Sequence, residues 1–108
     1  MILTRPYIEE LAANLRVRAR IFAACRNVLP HELEMLEEYL ELVKQNCPHA
    51  TVAITYLQFA LYEARDVVYR TTAYPEFVAL SAATALAVAA GALQQALECS
   101  TTQQVPQC

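Results

Sequence analysis

The stretch Phe77–Leu97, FVALSAATALAVAAGALQQAL, decides the fold, because it carries no charged residue from end to end. Pro75 and Glu76 precede it and Glu98 follows. Proline suits the first turn of a helix, where its missing N–H costs nothing, and a glutamate complements the positive N-terminal end. Alanine, the best helix former, dominates the turns that follow. Leu80, Leu86, Leu93 and Leu97 supply bulk. Ala83, Ala87 and Gly91 fall four residues apart, so they form a ridge of small side chains where a neighbouring helix is expected to approach closely. The segment is therefore expected at the middle of the molecule. Its length also suits a membrane span. Alanine is only weakly apolar, however, Gln94 and Gln95 interrupt the run, and neither flank carries the Lys/Arg cluster that orients a span. A buried helix of a soluble bundle, with no membrane involved, is the expectation.

Working outward, the preceding stretch gives a third helix from Thr51 to about Thr72. Ile54, Leu57, Leu61, Ala64 and Val68 repeat a four-and-three spacing and should face a core. Phe59, Tyr62 and Tyr69 share the other side with Gln58, Asp66 and Arg70. A second helix starts at Pro30 and ends near Asn46, before Cys47-Pro48. Leu29, Leu33, Leu36, Leu40, Val43 and Cys47 make a seam of the a/d kind, widened by Met35, Tyr39 and Leu42. Glu34, Glu37, Glu38, Glu41 and Lys44 occupy the opposite face. The first helix is capped by Thr4, has Pro6 in its first turn and ends near Asn27. Its core stripe is Ile8, Leu11, Ala12, Leu15, Ala19 and Phe22, and Val17, Ile21 and Val28 form a smaller apolar strip elsewhere.

Four helices joined by short Pro-containing turns predict an all-α, up-down-up-down four-helix bundle. One helical domain over residues 1–99 is expected, then a polar, flexible tail over 100–108. The chain has 108 residues, 56% of them hydrophobic, enough for a core without covalent staples. The segment Met1–Asn27 carries five Arg against two Glu, and Leu29–Asn46 carries five Glu against one Lys. Adjacent helices of opposite charge suit each other, although exposed pairs contribute only ~0–1 kcal/mol each. The net charge of −3 argues against a nucleic-acid binder that relies on phosphate neutralisation. The start MILTRPYIEE lacks a basic segment followed by an apolar run, so no signal peptide is expected, and a cytoplasmic chain with reduced thiols follows.

The chemistry-bearing residues are sparse. A di-iron bundle needs inward Glu-x-x-His motifs, and the chain has none. His31 with Glu34, Glu38 and Glu41 lines one side of the second helix, opposite the leucine seam, and reads as a solvated acidic face. Cys47-Pro48-His49 offers one thiol and one imidazole, short of the four ligands zinc usually takes. Cys25 and Cys99 read as small helical residues, and Cys108 as an exposed, reactive thiol. Nothing points to a nucleophile–base pair, and the single glycine rules out a phosphate-binding loop. Arg16, Arg18, Arg20 and Arg26 read as a solvated basic patch. No catalytic residue, metal or cofactor is therefore expected.

Six Tyr and no Trp draw attention to the aromatic side of the third helix, since tyrosine is enriched where surfaces become buried against partners. The expectation is a non-enzymatic regulator or adaptor that binds and sequesters a protein partner, as an anti-activator blocking a transcription factor's assembly does. A secretion chaperone, or a redox or metal sensor built on Cys and His, is the alternative. The expected contact residues are Phe59, Tyr62, Asp66, Tyr69 and Arg70, with Val17 and Ile21 on the first helix, and a homodimer is expected to cover one of these strips.

Overall fold

The computed structural model describes residues 5–101, with side chains described for residues 7–98. Four α-helices account for it: α1 (Arg5–Cys25), α2 (Pro30–Asn46), α3 (Thr51–Val68) and α4 (Pro75–Thr101). The connections are four, four and six residues long, so successive helices run antiparallel in an up-down-up-down bundle. The molecule is elongated, 48 × 27 × 19 Å.

The helix boundaries follow local chemistry. Pro30 occupies the first position of α2, and Leu29 before it is extended, at φ −88° and ψ 154°. The end of α2 is where the sequence puts it, with the Cys47 amide donating to the Val43 carbonyl at 2.7 Å. The ends of α1 and α3 fall earlier than expected, at Cys25 and Val68 rather than near Asn27 and Thr72. In each case an arginine takes the left-handed conformation just beyond the helix, Arg26 at φ 52° and Arg70 at φ 57°. After α3 this builds a full Schellman closure: the Thr71 amide donates to the Asp66 carbonyl at 2.9 Å and the Arg70 amide to the Val67 carbonyl at 3.3 Å. With the single glycine spent inside α4, neither stop carries its usual sequence mark. At the other end, α4 runs on through Ser100 and Thr101, which the sequence places in a tail. The remainder of that tail, Cys108 included, and the Thr4 cap lie outside the described residues.

The core is built from all four helices, with Phe22, Leu15, Leu36, Val43, Leu57, Leu86 and Leu93 as its largest fully buried side chains. The stripe expected on α1 is buried in full, from Ile8 to Phe22. On α2, Leu33, Leu36, Leu40, Val43 and Cys47 are buried, whereas Leu29 is 51% exposed, because it precedes the first turn and so leaves the helical face. On α3 the buried stripe is rotated from the expected one. Ala53, Leu57, Ala60, Leu61, Ala64 and Val67 are buried, and Ile54 and Val68 only flank the core. α3 packs closely against α4, and the small Ala53, Ala60 and Ala64 stand on its buried side. Val28 is likewise buried rather than part of an outer strip, since it lies in the α1–α2 connection, which folds it inward.

The expectation for the central segment needs the largest correction. The close approach of α4 to α1 and α3 does occur, and these two pairs are the tightest in the bundle. The residues that permit it are Ala79, Ala82, Ala83, Ala85, Ala89 and Ala90, all buried. Of the predicted ridge only Ala83 is buried; Ala87 is exposed, and a Cβ built on Gly91 would meet nothing within 4 Å. A four-helix bundle has no central helix, so even a helix with an uncharged run of this length keeps one side outward. That side carries Phe77, Ser81, Thr84, Val88, Gly91, Gln95 and Glu98, in strict four-and-three alternation. The span Pro75–Glu98 is long and apolar enough to cross a membrane by length and composition, and here 44% of its most apolar window is buried against the rest of the bundle.

Candidate protein-contact surface

Because α3 lies between α2 and α4 in the bundle, its outward face has two flanks. Phe59, Tyr62 and Tyr69, picked from the sequence, do stand outward on it, with Tyr62 68% exposed. Tyr62 leans to the α2 side. There it lines a groove of about 510 Å3 between α2 and α3, floored by Leu40 and Leu61 and walled by Glu37, Glu41, Lys44, Gln58 and Arg65. The groove volume lies within the ~300–1,000 Å3 typical of binding clefts. Arg65 Nη2 donates to Glu37 Oε2 at 3.0 Å across its wall, an exposed pair that contributes little stability but fixes one end. Tyr69 caps the C-terminal end of α3 on the same outward side.

Asp66 and Arg70 also build the end of the helix. The Asp66 carboxylate accepts a hydrogen bond from Thr71 Oγ1 at 2.8 Å, and its carbonyl accepts the Thr71 amide, so this residue closes the helix. Arg70 is the left-handed residue of that closure and lies past the end of the helix. The α1 strip is also not part of this surface. Val17 is exposed on α1, while Ile21 is half-buried and borders a smaller cavity of about 220 Å3 with Phe22, Cys25, Asn27, Leu29 and Glu32.

The α4 flank of α3 was not legible as a surface in the sequence. Here Val52, Tyr56 and Phe59 on α3 and Phe77 and Val88 on α4 are all exposed. Ser81 Oγ donates to Glu63 Oε1 at 3.0 Å, which sets the register of the antiparallel α3–α4 pair. Burial pushes the Glu63 carboxyl above its ordinary value; the Ser81 hydrogen bond works against this and nearby Asp66 adds to it. The signal for this flank was the polar punctuation of α4: Ser81, Thr84, Gln95 and Glu98 mark its outward side at helical spacing.

One ion pair was also missed. Arg18 Nη1 donates to Glu32 Oε1 at 2.6 Å, joining α1 to α2, with Glu32 only 4% exposed. His31 Nε2 lies 3.4 Å from the same oxygen. Glu32 Oε2 and Arg18 Nε are buried with no partner. Thus Arg18 belongs to the interior of the α1–α2 seam rather than to a solvated basic patch. Glu32 stands four residues before Leu36, on the edge of the leucine seam, and that spacing was its sequence signal. Of the cysteines, Cys25 is exposed, and Cys47 is buried with its thiol pushed up by desolvation. Among the described residues, no three His, Cys, Asp or Glu lie together in a way that could hold a metal ion. No protein-family model matches the chain, and neither a curated protein nor a solved structure matches it.

Proposed function

We propose that the chain is a non-enzymatic, cytoplasmic helical regulator that captures a protein partner along the α2–α3 groove, as an anti-activator does when it sequesters a transcription factor. The observation that carries this reading is the groove itself: an apolar floor at Leu40 and Leu61, a charged wall on either side, and Tyr62 standing at its edge. That combination suits an amphipathic helix of the partner, which lays its apolar side on the floor and its polar flanks against Glu37, Glu41, Lys44 and Arg65. Tyrosine is an apt anchor, because its ring covers apolar area while its hydroxyl tolerates water. The net charge of −3 favours a protein over a nucleic acid as this partner.

The test is affinity capture from the native cell, followed by titration of the captured protein. Truncating a central aromatic anchor typically costs ~2–4 kcal/mol of binding, so Tyr62→Ala should weaken capture about thirtyfold or more. Tyr69→Ala, outside the groove, should weaken it less. Circular dichroism serves as the folding control, since the buried face of α3 is untouched. A folded Tyr62→Ala protein that binds like the parent refutes the groove as the contact surface.

A further inference from the structure

We propose that the other flank of α3 is an interface between two copies of this chain: a two-fold dimer in which α3 of each copy lies over α4 of the other. This goes beyond the groove reading, uses the other flank of the outward face of α3, and stands or falls separately from it.

The first ground is exposed apolar area. Val52, Tyr56 and Phe59 on α3 and Phe77 and Val88 on α4 are between 40% and 72% exposed, on the outward sides of the two helices. Aromatic side chains bury ~150–250 Å2 each when covered, so those on this face, Tyr74 at its edge included, expose on the order of 500 Å2. With the valines and the small residues of α4 between them, the exposed area approaches the ~800 Å2 per partner of a standard-size interface. A patch of this kind on a small chain marks a contact.

The second ground is shape, and it selects a second copy as the occupant. Bulk is concentrated on α3, while the outward side of α4 between Phe77 and Gln95 carries Ser81, Thr84, Ala87, Val88 and Gly91. The face is therefore a ridge beside a shallow trough, which is complementary to itself when turned over. A two-fold axis parallel to the helices lays ridge on trough twice, as an isologous contact requires. Such an axis also keeps each residue at its own height along the bundle. The Glu63–Ser81 hydrogen bond fixes those heights. Phe59 then meets Thr84 and Val88 of the other copy, and Val52 meets its Gly91. The outward residues of α3, Val52, Tyr56, Phe59, Glu63 and Asp66, keep the same four-and-three alternation as those of α4, which is the seam spacing of paired helices.

The third ground is Gly91. A glycine inside a helix is destabilising relative to alanine, and within one protomer nothing stands within 4 Å of where its Cβ would be. The approach of a second helix gives that position a reason to stay small.

Sedimentation equilibrium of the full chain under reducing conditions, from 1 to 100 µM, tests the proposal. The expected result is a species of twice 12.1 kDa. Gly91→Leu should keep the helical signal and not lower the melting of the dilute protein, because a Cβ at this position meets nothing within 4 Å in its own protomer, yet raise the dimer dissociation constant at least tenfold. Phe59→Ala, on the ridge, should raise it about as much, whereas Val17→Ala on α1 should not change it. A chain that stays monomeric at 100 µM overturns the proposal. So does a dimer that survives both Gly91→Leu and Phe59→Ala, or one that is lost with Val17→Ala. Capture of a different protein through this face by a monomeric chain counts as refutation as well.

Discussion

Removing Arg18 should cost far more than removing Arg18 and Glu32 together. The two meet at 2.6 Å across the α1–α2 seam, with the Glu32 side chain only 6% exposed and that of Arg18 22% exposed. At an effective dielectric of ~20, opposite charges ~4 Å apart attract by about 4 kcal/mol, and most of that offsets the desolvation of the two groups. Arg18→Met keeps much of the aliphatic packing but strands a carboxylate whose other oxygen already lacks a partner. Breaking a fully buried pair costs ~3–5 kcal/mol; water reaching in along the exposed part of Arg18 lowers the expectation here to about 2–4 kcal/mol. The double variant Arg18→Met/Glu32→Leu removes both charges and retains apolar volume. It should return to within about 1 kcal/mol of the parent, since exchanging a buried ion pair for well-packed hydrophobic residues is often neutral or stabilising. Urea unfolding at neutral pH, followed by circular dichroism, reads both numbers, and the excess of the single over the double change is the coupling. An Arg18→Met protein within about 0.5 kcal/mol of the parent would refute the reasoning. It would mean that Glu32 is solvated or re-paired, and that the seam does not depend on this contact.

Further outcomes follow from the same geometry. Ala90→Leu, at a fully buried position on α4, should lose about 1–3 kcal/mol by overpacking; Gly91→Ala, one residue on, should gain about 0.5–1 kcal/mol in dilute urea unfolding. Arg70→Gly should raise stability by up to about 1 kcal/mol, because a side chain in the left-handed conformation costs ~1–2 kcal/mol, part of which the extra freedom of glycine in the unfolded chain takes back. Glu63 has a folded-state pKa above its unfolded value, so folding favours its protonated form, and its penalty is absent at acid pH and grows as pH rises through that window. Glu63→Gln should therefore stabilise the fold at neutral pH and change little near pH 4, and equal effects at both pH values would contradict this. In thiol labelling of the native protein, Cys25 should react readily and Cys47 only on unfolding, since Cys47 is buried with a raised pKa.

Helix number, helix order and most of the core were decided by the sequence alone. A run without charge, a four-and-three leucine seam and prolines at Pro30 and Pro75 act within a few residues, and no tertiary context competes with them. The α1 stripe from Ile8 to Phe22 was readable for the same reason. What needed the tertiary structure was every property that depends on which helix stands next to which. Whether an alanine of α4 faces a neighbour or water is not written in its own chemistry, so Ala83 is buried and Ala87 exposed although both sit on one expected ridge. The buried stripe of α3 takes in Ala53, Ala60 and Ala64, which only the packing of its neighbours decides. Glu32 looks like any other glutamate of an acidic helix until the bundle closes Arg18 over it. The contact surface divides along the same line. Phe59, Tyr62 and Tyr69 could be seen to share a helix, but only the packing of α2 and α4 on its two sides separates a groove at Tyr62 from a ridge at Phe59, because a surface belongs to the helices that border it.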